Sequence, residues 1–135
     1  MAEKIATLSS NGSTPVVEIT IGKAQFGKYE LYTWDQQGLN PKLIGSGLNT
    51  DQIPDIFQIG MSAAALEECL LSWQCIVSAL STGPGQEYAV SIKLTQDQVL
   101  IPITVGGKQI NNPYVQKGPL TGTKIVHDYV RFKVQ

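Results

Sequence analysis

Apolar and polar residues take turns along much of this chain, and a period of two marks a strand with one buried face. Between Val16 and Ile21, Val17, Ile19 and Ile21 fall on one side, Glu18 and Thr20 on the other. From Lys28 to Trp34, Tyr29 and Leu31 alternate with Lys28, Glu30 and Tyr32. The cleanest case runs from Glu87 to Thr95, with Tyr88, Val90, Ile92 and Leu94 inward and Ser91, Lys93 and Thr95 outward. Gln98 to Thr104 sets Val99, Ile101 and Ile103 on one face, and Pro102, which cannot donate to a ladder, points to an edge position. Asp55 to Ile59 alternates as well. Ile125 to Val134 closes the chain with Val126, Val130, Phe132 and Val134 on one side, and Lys42 to Ser46 reads as a further short strand.

Turn-forming residues punctuate these segments. Ser9 to Thr14 is a turn or arm, which makes residues 1–14 a flexible arm or short edge strand ahead of a single domain at 15–135. The two glycines in Gly22 to Gly27 suit a hairpin connection. Asp35 to Pro41 reads as a polar turn, Gly45 to Pro54 as loop, and Gly106 to Gly122 as mostly loop opening on a Gly106-Gly107-Lys108 hairpin turn.

Residues 62–81 fit two periods. Leu66, Cys69, Leu70, Trp73, Val77 and Leu80 form a helical stripe opposite Glu67 and Glu68, and alanines 63–65 favour helix. Leu71, Trp73, Cys75, Val77 and Ala79 equally share a strand face, with Ser72, Gln74 and Ser78 opposite. Gly83-Pro84-Gly85, followed at once by the cleanest strand, suits an antiparallel pair joined by a turn. The pattern therefore predicts a short helix near 62–68 and a strand at about 70–80. The fold class expected is all-β: an antiparallel β-sandwich of about eight strands, immunoglobulin-like, jelly-roll or C2-like. If the helix prevailed over 62–81 the class would become α+β.

Composition narrows the function. At 135 residues the chain has the length of one domain, and 42% apolar against 16% charged residues supplies a core. A chain this long buries roughly two thirds of its unfolded surface and needs no disulfide or metal. Ten Lys plus Arg balance eleven Asp plus Glu, and Arg131 is the single arginine. Nucleic acid and anionic membrane are poor partners for such a balance. No apolar run has signal-peptide or membrane-span length, so the expected location is cytoplasmic; export without a leader would leave no mark. Cys69 and Cys75 would lie ~20 Å apart on a strand or ~9 Å apart on a helix, beyond the ~7 Å a disulfide spans.

The usual catalytic constellations are not legible. His127 and Asp128 are neighbours on a strand, so they face opposite ways and form no dyad. One histidine and two separated cysteines make a poor zinc set. Asn49, Asp51 and Asp55 sit in or beside a loop but match no calcium spacing, and turn and capping roles account for them. Glu67 and Glu68 read as a solvated charged face. Gly45-Ser46-Gly47 lacks the lysine and helix of a phosphate loop. No cofactor and no enzymatic activity are expected.

Two surface features carry the functional expectation. Tyr32, Trp34, Asp35 and Asn40 combine aromatic rings with polar groups suited to a small ligand or glycan, although strand propensity and core cover explain them as well. His127, Tyr129, Arg131 and Lys133 share the outward face of the last strand, a strip suited to a protein partner or simply a solvated face. The sequence is thus read as a non-catalytic interaction or ligand-binding module acting through surface loops or an exposed sheet face. A homo-oligomeric structural subunit and a lectin-like carbohydrate-binding domain are the alternatives. An edge strand makes self-association a reasonable expectation.

Overall fold

The computed structural model describes residues 3–22, 26–49, 53–79 and 86–135. Within these residues the chain forms β1 (Lys4–Leu8), β2 (Val16–Gly22), β3 (Phe26–Trp34), β4 (Lys42–Asn49), β5 (Asp55–Gln58) and α1 (Ala63–Leu66). There follow β6 (Leu70–Ser78), β7 (Glu87–Gln96), β8 (Val99–Leu100), β9 (Ile103–Val105), β10 (Lys108–Ile110), β11 (Tyr114–Pro119) and β12 (Thr123–Val134).

Two sheets result. The larger has seven strands in the order β10-β9-β1-β12-β6-β3-β4; the smaller has five, β11-β7-β2-β5 with β8 added beside β7. Their inward side chains form one core cluster, with Leu71, Trp73 and Phe132 from the larger sheet and Ile19, Ile92 and Leu94 from the smaller. The mostly-β expectation holds, but there are twelve strands among the described residues rather than about eight. One sheet is also mixed, because β1 runs parallel to β12. Among the described residues no helix is long and apolar enough to cross a membrane.

The contested segment divides where its two periods divide. Ser62 caps a single helical turn, its Oγ accepting from the Ala65 N–H at 3.2 Å. The turn ends at Glu67, whose ψ of 123° leaves the helical region, and Glu68 follows with a φ of 69°. Beyond it β6 buries Leu71, Trp73, Cys75 and Val77 in strict alternation. A helix across 62–81 would have split that set between two faces.

Several connections differ from expectation. β2 and β3 do not form a hairpin across Gly22 to Gly27, since they belong to different sheets. The same is true of β6 and β7; the Gly83-Pro84-Gly85 turn itself lies outside the described residues. Residues 4–8, expected in an arm or edge strand, form β1 in the interior of the larger sheet, between β9 and β12. Chain crossing also explains Val99, which is exposed while Ile101 and Ile103 are buried: β8 pairs with β7, whereas β9 pairs with β1 in the other sheet. The 106–122 stretch holds two strands, β10 and β11, behind a turn in which Gly106 and Gly107 both have positive φ, as the expected hairpin requires.

Glycine makes one strand where a loop was expected. β4 continues through Gly45 and Gly47, which face the core opposite Leu31 and Tyr29. A Cβ on Gly45 would stand 2.4 Å from the Phe57 ring, and one on Gly47 would stand 3.0 Å from Tyr29 Oη. These glycines admit aromatic rings; they do not break the strand.

Candidate functional site

Strand register decides which outward residues meet. β6 lies between β3 and β12, and paired residues across three neighbouring strands share a face. One row therefore reads Glu30, Gln74, His127, and the next reads Tyr32, Ser72, Tyr129. Leu43 of β4 extends the second row past Tyr32, with a bulge between Leu31 and Tyr32 setting its register. A third row, Lys28, Ile76, Ile125, completes the patch. The aromatic feature on β3 and the basic-aromatic feature on β12, about 95 residues apart in the chain, thus face each other across β6.

Between them lies an open depression of about 720 Å³. Tyr32 and Trp34 line one side and His127 and Tyr129 the other, with Ser72 and Gln74 of β6 between. Trp34 Nε1 donates to Ser72 Oγ at 2.8 Å, which fixes the indole over β6. The Tyr32 hydroxyl donates to Glu30 at 3.1 Å. This bond and partial burial hold the Tyr32 phenol above its ordinary pKa. The Tyr32 and Trp34 rings stand 6.1 Å apart at 48°. Both rings therefore have their polar edges occupied by the protein itself.

The remaining expected site residues are placed differently. Asp35 turns into its own loop, accepting from the Gln37 and Leu39 N–H groups and from Asn40 Nδ2. Those bonds, the Leu39 amide first, lower its pKa, so both Asp35 and Asn40 build the turn rather than the depression. Arg131 donates to Glu3 and to the carbonyls of Gln36 and Glu68. Lys133 pairs with Glu68. These two cations tie β12 to residues before β1 and after α1. Val134 N–H is similarly taken by the Glu67 carboxylate. Glu67 and Glu68, read from sequence as a solvated face, secure the end of the last strand.

Beneath the depression the two sheets are joined by polar contacts. Trp73 Nε1 donates to Gln116 at 2.9 Å, and Gln116 donates onward to the His127 carbonyl. Asp128, on the inward side, takes the Tyr114 hydroxyl at 3.1 Å and pairs with Lys4 at 2.7 Å. Burial works against the Lys4 charge, but Asp128 and Tyr114 together outweigh it and the ammonium pKa rises. His127 and Asp128 accordingly face apart, as expected of strand neighbours.

No group of His, Cys, Asp or Glu suited to a metal occurs among the described residues. Asp55 accepts the Tyr29 hydroxyl at 2.6 Å, and Asp51 lies outside the described residues. Cys69 and Cys75 are both free and buried, and burial pushes the Cys75 thiol up to about 12.

Ser72, Gln74 and Ile76 of β6, with Leu43 and Ile125 beside them, are participants that sequence reasoning did not single out. Their signal was present, since Ser72 and Gln74 lie opposite the apolar positions of the strand at 70–80. Only the pairing of β6 with both β3 and β12 makes them central. Comparison with protein-family models, curated proteins and solved structures finds no match.

Proposed function

We propose that the protein is a non-catalytic binding module of the β-sandwich kind, and that it acts through the outward face of its larger sheet. The observation that carries this reading is the alignment of Tyr32 and Tyr129 across Ser72, on a face that also exposes Leu43, Leu48, Ile76 and Ile125. Grouped exposed apolar side chains mark recognition surfaces far more often than scattered ones do. Rigid strands hold these side chains in fixed geometry, which lowers the ordering cost of binding.

The test compares matched variants on the two sheets. Tyr129→Ala and Ile125→Thr alter the larger sheet; Ser91→Ala and Lys117→Ala alter the smaller. Each is assayed by calorimetry against neutral and acidic oligosaccharides, proline-rich peptides and the protein itself. Binding should fall only in the first pair. Loss in the second pair, with the first unaffected, would remove the reading.

Self-assembly is the second reading, favoured by the aliphatic residues Leu43, Leu48, Ile76 and Ile125 on the same face. Light scattering of the wild type should then show a mass that rises with concentration, and Ile125→Lys should abolish the rise.

A further inference from the structure

The geometry points to a neutral saccharide chain as the ligand of the depression over β6, its sugar rings stacked on Tyr32 and Tyr129 and its hydroxyls met by Gln74, His127 and Glu30. This inference rests on the sheet-face reading above and gives that face a ligand class.

Three observations carry it. The first is what the aromatic residues leave free. Trp34 N–H is held by Ser72 and Tyr32 O–H by Glu30, so the ring donors of these two residues are taken. Ring surface is what remains, and a pyranose presents flat C–H faces to ring surface. The second is spacing. Tyr32 and Tyr129 stand two strand separations apart, about 10 Å, which is the span of two sugar rings in an extended chain. The third is charge. Among the residues lining the depression there is no lysine or arginine. Glu30 contributes a carboxylate, and Asp128 is paired with Lys4 on the inward side. Within the depression an anionic ligand would meet a carboxylate and no cation, Lys28 lying one row away, whereas hydroxyls suit groups that can accept (Glu30) or both donate and accept (Gln74, His127).

The two tryptophans of the chain, Trp34 and Trp73, supply an internal test. Both residues border the depression, but Trp73 is almost wholly buried and its side chain belongs to the core, whereas the Trp34 ring lies over β6. In ¹⁵N-labelled protein their two indole N–H signals are followed while oligosaccharides of glucose, xylose, mannose and N-acetylglucosamine are added. An acidic oligogalacturonate and an octaproline peptide run beside them. At least one neutral oligosaccharide should shift the Trp34 signal saturably and leave Trp73 nearly still. Tyr129→Ala should weaken that binding about ten-fold or more, as loss of a central aromatic contact does. Gln74→Ala should weaken it less, and Ser91→Ala should leave it unchanged; circular dichroism checks that each variant is folded.

The other outcomes overturn the inference in distinguishable ways. If only octaproline, or the protein itself at high concentration, moves Trp34, the saccharide is wrong and the sheet face stands. A preference for oligogalacturonate likewise defeats the neutral ligand alone. If a saccharide binds but the shifts map to the smaller sheet, or if nothing binds, the inference and the sheet-face reading fall together.

Discussion

The outward faces of the two sheets are built from the same kind of alternating strand and differ in what their neighbours make of each other. On the smaller sheet Thr20, Ser91 and Val115 form one row, and Gly22, Ala89 and Lys117 form another. Glu18 and Lys93 pair there at 3.7 Å, beside Ile56. This face too has an open depression, of about 680 Å³ beside Ala89, Val115 and Lys117, but no aromatic side chain lines it, and a partly exposed ion pair of this kind adds little stability. On the larger sheet the rows join aromatic, amide, imidazole and aliphatic side chains. Alternation decides only that a residue faces outward. Whether an outward residue belongs to a site depends on the strands beside it.

That contrast can be broken or sharpened by experiment, beginning where the effect is largest. Leu71, on the core side of β6, is fully buried, and Leu71→Ala should cost about 2–5 kcal/mol in urea unfolding. Ile76 and Ile125, on the other side of the same sheet, should tolerate Thr within about 0.5 kcal/mol. Equal losses would mean that the outward aliphatic residues serve the fold rather than a partner.

Glycines offer a second contrast. Gly45→Ala drives a methyl group into Phe57 and should destabilise by about 1–3 kcal/mol. Gly22→Ala, on the smaller sheet, meets among the described residues only Ala89, at 3.8 Å, and should be neutral or stabilising by about 0.4–1 kcal/mol. Thermal melts of the two variants check the sign.

Chemistry beneath the larger sheet gives a third. With its thiol near 12, Cys75 should resist iodoacetamide at pH 8 in the native protein and react only on unfolding. Mass spectrometry of native and guanidinium-treated samples reads this directly. Rapid native labelling of Cys75 would show that the layer under the depression opens.

The smallest effect concerns the loop beside the face. Asp35 has a folded pKa below its ordinary value, so its contribution to the turn is present above the ordinary carboxylate pKa. It is lost as pH falls through the lowered folded value. The Leu39 amide shift should follow that midpoint, and Asp35→Asn should remove the pH dependence.

The division between what could and could not be read from sequence follows range of interaction. Tyr88, Val90, Ile92 and Leu94 announced both a strand and its buried side, because alternation is local. The helix-to-strand change near Glu68 was also local, and alanines 63–65 marked it. Sheet membership was not. Gly22 to Gly27 has the residues of a hairpin, yet β2 and β3 separate into different sheets, and no residue in the connection encodes that choice. Gly45 and Gly47 looked like loop because the rings that fill their missing side chains, Phe57 and Tyr29, lie elsewhere in the chain. For the candidate site, Tyr32, Trp34, His127 and Tyr129 were visible singly. Their meeting depends on β6 lying between them, and the bonds that engage Asp35 and Arg131, to backbone groups and to Asn40 and Glu3, are equally outside what composition reveals.

One feature of the larger sheet also bears on how the molecule is made. β12 holds β1 on one side and β6 on the other, so β1 and β6 are joined in one sheet only through a strand far downstream of both. Both partners of β1, β9 and β12, lie about 100 residues or more further along the chain, and pairing over such separations is intrinsically slow. The surface over β6 is therefore complete only once β12 has paired, and a chain lacking β12 would carry the Tyr32 and Trp34 side alone.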